Sequence, residues 1–127
     1  MRITFVIYSL SAGGAERIMS IMSNYWAEKD WNVTIITISG QNQRPFFELH
    51  SSVAIRHLDA STSTIGLFHG IANNIRRIQK LRRAIVESDP QVVISFMDQT
   101  NIITILAATG LNLPVIVAEH NDPYQRK

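Results

Sequence analysis

Cysteine is absent from this 127-residue sequence, and charged residues are few. Without cysteine the chain forms no disulfide and no thiolate metal site, which leaves the redox compartment open. Charged side chains make up 17% of the residues, and the formal net charge of +2 is too small to indicate a nucleic acid partner. The hydrophobic fraction of 46% excludes a disordered chain. Composition therefore predicts one folded domain with a sizeable core and no nucleic acid partner.

Long apolar runs and targeting signals are missing as well. No stretch approaches the roughly 20 apolar residues that span a bilayer. The apolar run 3–8 is shorter than the h-region of a secretion signal and leads into a glycine-containing loop. We therefore expect a cytoplasmic protein. No two histidines have the spacing of metal ligands, so we expect neither a metal nor another cofactor.

What the sequence does contain is a regular alternation of strand and helix patterns. The predicted strands cover residues 3–8, 31–38, 53–58, 91–97 and 114–118, and the predicted helices cover 14–29, 65–88 and 100–109. Four of the strands are continuously apolar, which indicates burial on both faces, whereas 53–58 alternates and fits an edge. This pattern predicts the α/β class: a single Rossmann-like domain whose parallel sheet of about five strands has the order 3-2-1-4-5, with helices on both faces.

Apolar residues recur at helical spacing in the first two helices. In the first helix, Ile18, Met22, Tyr25 and Trp26 recur at helical spacing. In the long second helix, the predicted buried stripe consists of Phe68, Ile71, Ile75, Ile78, Leu81 and Ile85. The other faces of that helix carry Arg76, Arg77, Lys80, Arg82 and Arg83. Gly110 is expected to end the third helix.

The turn from the first strand into the first helix contains paired glycines. Gly13 and Gly14 let the chain turn tightly and let a ligand approach the backbone. The first amides of the helix have no partner inside it, and the helix dipole adds positive charge, so a phosphate is a natural occupant. Ser11 is a candidate cap or hydroxyl donor, and Glu16 falls in the first turn, where a carboxylate suits the dipole. The alternative is that the glycines only shorten the loop.

Polar residues also follow the fourth and fifth strands, where the carboxyl ends of strands one and four flank the expected ligand site. With the first loop, this edge supplies Ser9, Ser11, Asp98, Gln99, Asn101, Glu119, His120, Asn121 and Asp122. Structural alternatives remain open for three of them. Asp98 could cap the third helix, Asp122 before Pro123 could form an Asx turn, and His120 could be a structural histidine.

Several common fingerprints are missing from this edge. The loop lacks G-x-G-x-x-G, and the second strand ends without an acidic residue for a ribose, which disfavours NAD. Ala15 and Glu16 stand where a P-loop has its Lys and Ser or Thr. No G-x-S-x-G nucleophile elbow is present. The remaining interpretation is an α/β domain that can bind a phosphate at this edge and has no nucleophile of its own.

Three segments together resemble the N-terminal half of family 4 glycosyltransferases, over essentially the whole chain. They are the loop ending G-G-A-E-R at residues 13–17, the strand V-V-I-S-F-M at 92–97 followed by Asn101, and P-V-I-V-A-E-H-N-D-P at 114–123. The resemblance implies a GT-B architecture, in which two Rossmann-like domains face each other across a cleft. It also implies a retaining, metal-independent transfer of a sugar from a nucleotide-sugar donor, UDP- or GDP-linked, to an acceptor in glycan, polysaccharide or lipid-linked oligosaccharide assembly.

The resemblance also implies roles for particular residues. Gly13 and Gly14 would bind the donor phosphates, and His120 and Glu119 would be catalytic. The acceptor would contact Ser11, Asp98, Asn101, Asn121 and Asp122. Residues 1–127 would form the acceptor-side domain, and the donor-binding C-terminal domain, with its paired glutamates, is not in this sequence. We therefore expect these residues alone to be inactive.

Two further expectations depend on the same resemblance. Relatives that act on lipid-linked acceptors suggest that Arg76, Arg77 and Arg83 contact anionic headgroups at the inner face of the membrane. The alternative is a solvated helix face whose other side is core. For the whole chain, the alternative to a transferase is a non-catalytic Rossmann-like binding module, or a subunit that needs a separate C-terminal partner.

Overall fold

A computed structural model describes residues 1–10, 13–39, 45–58 and 67–118 of the chain, without the side chains of residues 67–73, 98 and 99. Within these ranges strands and helices alternate as the sequence predicts. The elements are β1 (Arg2–Ile7), α1 (Gly14–Glu28), β2 (Asn32–Thr37), β3 (Ala54–His57), α2 (Leu67–Ser88), β4 (Val92–Phe96), α3 (Asp98–Ala108) and β5 (Val115–Ala118). Their ends differ from the predicted ones by at most two residues.

The strands form one five-stranded sheet in the order β3-β2-β1-β4-β5, and every pair is parallel. Both the predicted order and the predicted edge position of β3 are confirmed. All residues of β4 and the last five of β1 are buried, as expected for strands that are covered on both faces.

Alternate residues of the central strands enter two separate cores. Phe5, Ile7 and Ile35 belong to one cluster, which also contains Met19 of α1. Val6 and Ile36 point to the opposite face and belong to a second cluster with residues of α2 and α3. Helices therefore cover both faces of the sheet, as predicted.

The apolar residues that recur at helical spacing in α1 do not all lie on its buried face. Ile18 and Tyr25 are 42% and 57% exposed, and the fully buried face consists of Ala15, Met19, Ser20, Ser23 and Ala27. These mostly small side chains let the helix approach the sheet, so the larger apolar residues lie at its sides. Trp26 is partly buried there, with its ring stacked between those of Phe5 and Trp31.

The predicted stripe of α2 is confirmed only toward the end of the helix. Leu81 and Ile85 are fully buried and Ile78 packs against them, but Ile75 is 52% exposed. The side chains of Phe68 and Ile71 lie outside the described residues. The helix has 22 residues, about 33 Å at 1.5 Å per residue, whereas a six-residue strand covers about 20 Å. Its first turns must therefore extend past the sheet.

Candidate functional site

Strands β1, β4 and β5 end at the same level of the sheet. Val6 lies opposite Ser95 in the register, and Phe96 lies opposite Ala118. Since neighbouring strands are about 4.8 Å apart, the segments that follow these strands all leave the sheet within about 10 Å of each other. The chain continues from β1 to a helix on one face and from β4 to a helix on the other. This is the switch point at which parallel α/β sheets bind ligands.

The glycine turn after β1 opens helix α1 at this edge. Gly13 is the N-cap residue with an extended backbone (φ −120°), and Gly14 is the first helical residue. The first intrahelical bond runs from the Arg17 amide to the Gly13 carbonyl oxygen (3.0 Å). The amides before Arg17 lie ahead of the helical ladder, and the positive end of the dipole is there too. The geometry is suited to an anion.

The carboxylate of Glu16 folds back over this turn. A Cβ added at Gly13 would lie 2.5 Å from Oε1 of Glu16 and 2.9 Å from its Cδ. The glycine thus makes room for the acidic side chain in the first turn, whose position the sequence predicted. An anionic ligand at the turn would meet a negative charge that stabilises the same helix end.

Asn101 lies inside this edge and not on its surface. The residue is only 5% exposed, and its Nδ2 donates to the carbonyl oxygen of Ala118 at 3.3 Å. The amide of Met97 donates to the same oxygen at 3.1 Å. The start of α3 is therefore fastened to the last residue of β5. Oδ1 of Asn101 is buried and makes no hydrogen bond within the described part of the chain.

Met97 joins β4 to α3 in an unusual backbone conformation. Its φ and ψ are 80° and 145°, a region that glycine adopts far more readily than methionine. Met97 is the N-cap residue and Asp98 begins the helix, so the alternative of Asp98 as the N-cap is wrong. The methionine gives no turn signal in the sequence, which is why this feature was not predicted.

A buried pair of hydroxyl groups fixes α3 against β4. Thr104 donates to the carbonyl oxygen of Thr100 (2.7 Å), so the 3.0 Å contact with Ser95 is one in which Ser95 donates to Thr104. Ser95 and Thr104 are both fully buried. Sequence reasoning missed this pair, since a serine in an apolar strand has no distinctive pattern.

The remaining predicted site residues lie wholly or partly outside the described residues. Ser11, Glu119, His120, Asn121 and Asp122 are not described, and neither are the side chains of Asp98 and Gln99. Their roles stay predictions. Among the described side chains, no group of three His, Asp or Glu residues is placed to hold a metal ion.

The basic residues of α2 do not all share one face. Arg76 and Arg83 are exposed, as is Lys80, whereas Arg77 is half-buried and has an interaction partner. Arg82 points toward α3, and its Nη1 donates to the carbonyl oxygens of Ala107 and Thr109. None of the helices in the described ranges combines the length and apolar composition that a bilayer span needs.

Comparison with known proteins gives a family match. The model of the family described as Glycosyltransferase Family 4 matches residues 12–127. A similar protein is the GalNAc-alpha-(1->4)-GalNAc-alpha-(1->3)-diNAcBac-PP-undecaprenol alpha-1,4-N-acetyl-D-galactosaminyltransferase of Campylobacter jejuni. It is 36% identical over 122 residues, which are 96% of this chain and 33% of that protein.

Solved structures share the fold at low sequence identity. Sucrose-phosphate synthase from Thermosynechococcus elongatus has a TM-score of 0.71 at 12% identity, over 95% of this chain and 33% of that one. MurG from Acinetobacter baumannii has a TM-score of 0.66 at 13% identity, over 95% of this chain and 36% of that one. The chain thus spans about a third of the length of the proteins that it matches, and its fold is that of one half of a GT-B enzyme.

Proposed function

The chain belongs to glycosyltransferase family 4, and on this premise we propose that it is the acceptor-side domain of a retaining enzyme. The enzyme moves a sugar from a UDP- or GDP-linked donor to an acceptor in glycan, polysaccharide or lipid-linked oligosaccharide assembly. The chain spans a third of the length of the Campylobacter relative. We therefore assign the remaining contacts with the nucleotide-sugar donor to a second, C-terminal domain.

The observation that carries this proposal is the glycine turn at the switch point. Gly13 is the N-cap of α1 and Gly14 its first residue, and their amides lie ahead of the helical ladder in the connection that follows β1. A nucleotide-sugar donor leaves behind a diphosphate, and backbone amides at a helix start stabilise such an anion. Hydrogen-bond donors that point at charge developing during the reaction are among the largest contributions to catalysis. The backbone amides of Gly13 and Gly14 would stabilise the leaving diphosphate in this way.

The catalytic role is assigned to the segment after β5. Glu119 and His120 follow Ala118 directly, and the end of that strand is held by the bonds from Met97 and Asn101. We assign His120 and Glu119 to the acceptor and the transferred sugar. The burial of Asn101 and its bond to Ala118 support a role in positioning the segment after β5. We also assign Asn101 to the acceptor side, together with Ser11, Asp98, Asn121 and Asp122.

The acceptor is proposed to be lipid-linked and presented at the inner face of the cytoplasmic membrane. The name of the Campylobacter relative specifies a glycan on PP-undecaprenol. The predicted membrane contact through Arg76, Arg77 and Arg83 agrees with such an acceptor. Arg76 and Arg83 are exposed for this contact, with Lys80 on the same side of the helix, whereas Arg77 is half-buried.

A transfer assay on the protein that carries this chain tests the proposal. We expect one member of a panel of UDP- and GDP-sugars to be transferred to an undecaprenyl-diphosphate-linked glycan, with retention of the anomeric configuration by NMR. His120→Ala should reduce the rate by at least about 100-fold if this residue acts as a general acid or base.

The matched control is His50→Ala. Nδ1 of His50 accepts hydrogen bonds from Ser52, away from the carboxyl ends of β1, β4 and β5, so this change should leave the rate within about twofold. Transfer with inversion of configuration, or equal rates for the two histidine variants, would contradict the proposal.

A further inference from the structure

A small cavity lies at the outer edge of the sheet, between β3 and α2. Arg56, His57 and Leu58 line it from the strand side, and Lys80 and Arg83 line it from the helix. Its volume is about 220 Å³, far more than the roughly 10–15 Å³ that one water requires. We refer to it as the cationic pocket.

The charges around the cationic pocket are unbalanced. Glu87 forms an ion pair with Arg56, and both side chains remain about half exposed. Lys80 and Arg83 make no hydrogen bond and no ion pair within the described ranges. Two formally charged side chains are therefore gathered around one cavity without a counter-charge from the described residues.

The spacing along α2 brings like charges together. Lys80 and Arg83 are three residues apart and Arg76 is four before Lys80, so all three lie on one exposed stripe of the helix. Like charges at these spacings repel each other and destabilise a helix. Arg76 belongs to the stripe but is not among the residues that line the cavity. Replacing Arg76 therefore distinguishes the loss of a pocket residue from the loss of one positive charge elsewhere on the helix.

The strand that carries Arg56 into the cationic pocket is fixed at its end. Thr37 donates its hydroxyl proton to the carbonyl oxygen of Ser39, so its contact with Nδ1 of His57 is one in which the imidazole donates. His57 lies in register with Thr37 and Ile7, whose face of the sheet is covered by α1, so this bond fixes the end of β3 and not the lining of the pocket. β3 is thus held in place by the sheet, while the charges of the pocket come from the longer side chains.

We propose that the cationic pocket binds a phosphate group, as a diphosphate or a phosphate ester. Two arginines and one lysine are among the residues that line it, and charge-assisted bonds from guanidinium and ammonium groups to phosphate oxygens are among the stronger hydrogen bonds. Arg56 enters from a strand and is oriented by Glu87, which leaves its other nitrogen atoms to meet a ligand. This inference does not depend on the proposed glycosyl transfer.

The position of the pocket relates it to the carboxyl edge of the sheet. His57 lies opposite Thr37, which lies opposite Ile7, the last residue of β1. Two strand spacings, about 10 Å, separate His57 from the end of β1. The pocket lies on the face of the sheet that α2 covers, whereas the glycine turn begins α1 on the opposite face. A bound phosphate would therefore belong to a dissolved phosphate compound or to a lipid headgroup on the α2 face of the sheet.

Titration with inorganic pyrophosphate at low ionic strength tests the site. With amide NMR on the chain, we expect saturable shifts at Arg56, His57 and Leu58. Lys80→Gln and Arg83→Gln should each weaken binding by about threefold or more, and the double variant by about tenfold. Arg76→Gln removes the same charge outside the cavity and should change the affinity by less than about 1.5-fold.

One variant is expected to bind pyrophosphate more tightly and not more weakly. Glu87→Gln removes the carboxylate that competes for Arg56 and should strengthen pyrophosphate binding by about twofold. The four replaced side chains are exposed, so circular dichroism melting curves should show that the variants remain folded.

Vesicles distinguish a lipid source from a dissolved one. The chain is floated with phosphatidylcholine vesicles that contain or lack phosphatidylglycerol. Pocket-dependent binding of pyrophosphate alone would assign a dissolved phosphate, and pocket-dependent binding of the anionic vesicles would assign a headgroup. Equal losses of pyrophosphate affinity for Arg76→Gln and the pocket variants, or no saturable binding of either probe, would overturn the proposal.

Discussion

At the scale of single residues, Gly13 and Glu16 form a coupled pair. The backbone of Gly13 is extended, a conformation that alanine also adopts, so the glycine is needed here for space. Gly13→Ala would push its new methyl group against the Glu16 carboxylate, which must then leave the helix end. We expect a loss of about 0.5–1 kcal/mol in the free energy of unfolding, measured by urea denaturation.

The control is the same substitution in a Glu16→Ala background. With the carboxylate gone, Gly13→Ala should cost only a few tenths of a kcal/mol, so the double-mutant cycle should give a coupling of about 0.5 kcal/mol. Additive effects of the two changes would mean that the methyl group and the carboxylate do not compete for space.

Met97 provides a second test at this scale. Its positive φ should strain the backbone by about 1–3 kcal/mol, more than the 0.5–1 kcal/mol by which glycine's freedom in the unfolded chain opposes folding. Met97→Gly should therefore be more stable than Met97→Ala by about 1 kcal/mol in thermal unfolding. Both variants lose the same half-exposed side chain, so the comparison isolates the backbone. A more stable alanine variant would remove the argument for strain.

At the scale of elements, Arg82 connects two helices. α3 has no basic residue in its last turn, and Arg82 of α2 instead donates to the carbonyl oxygens of Ala107 and Thr109 at 3.1 and 2.5 Å. This guanidinium compensates the negative end of the α3 dipole and joins α2 to α3. Arg82→Met should lower the free energy of unfolding by about 1.5–3 kcal/mol.

The neighbouring Arg83→Met provides the matched comparison. Arg83 is exposed and has no hydrogen bond or ion pair within the described ranges, so its loss should change stability by less than about 0.5 kcal/mol. Urea denaturation of both variants gives the difference directly. Similar losses for the two would show that Arg82 contributes through general charge and not through the α3 carbonyls.

The elements also show where sequence patterns predict structure well. Strand order and helix placement follow from alternating apolar runs, because a parallel sheet has few ways to cover both faces. Gly110 ends α3 as predicted, with φ of 83°. Ile75 was predicted to be buried but is exposed, since periodicity does not tell how far a helix extends past the sheet.

At the scale of the whole molecule, the candidate site was only partly predictable. Gly13, Gly14 and Asn101 carry signals in the chain itself, as a glycine pair and as a polar residue after a buried strand. The contact of Asn101 with Ala118, the hydroxyl pair of Ser95 and Thr104, and the cationic pocket arise between elements distant in sequence. No local pattern encodes these contacts, because they depend on how strands and helices pack.

The whole molecule also sets how strongly the glycine turn can bind a donor by itself. A helix start open to water contributes about 0.3–1 kcal/mol per charge, whereas one donor in a closed, dry site can contribute about 2.7–4 kcal/mol. We therefore expect the chain alone to bind UDP more weakly than about 1 mM, or roughly 4 kcal/mol, by isothermal calorimetry. The measurement should use the Lys80→Gln/Arg83→Gln variant, so that the cationic pocket adds nothing. Saturable heat at micromolar UDP would mean that this domain holds a complete nucleotide site, and the division of donor binding between two domains would then be wrong.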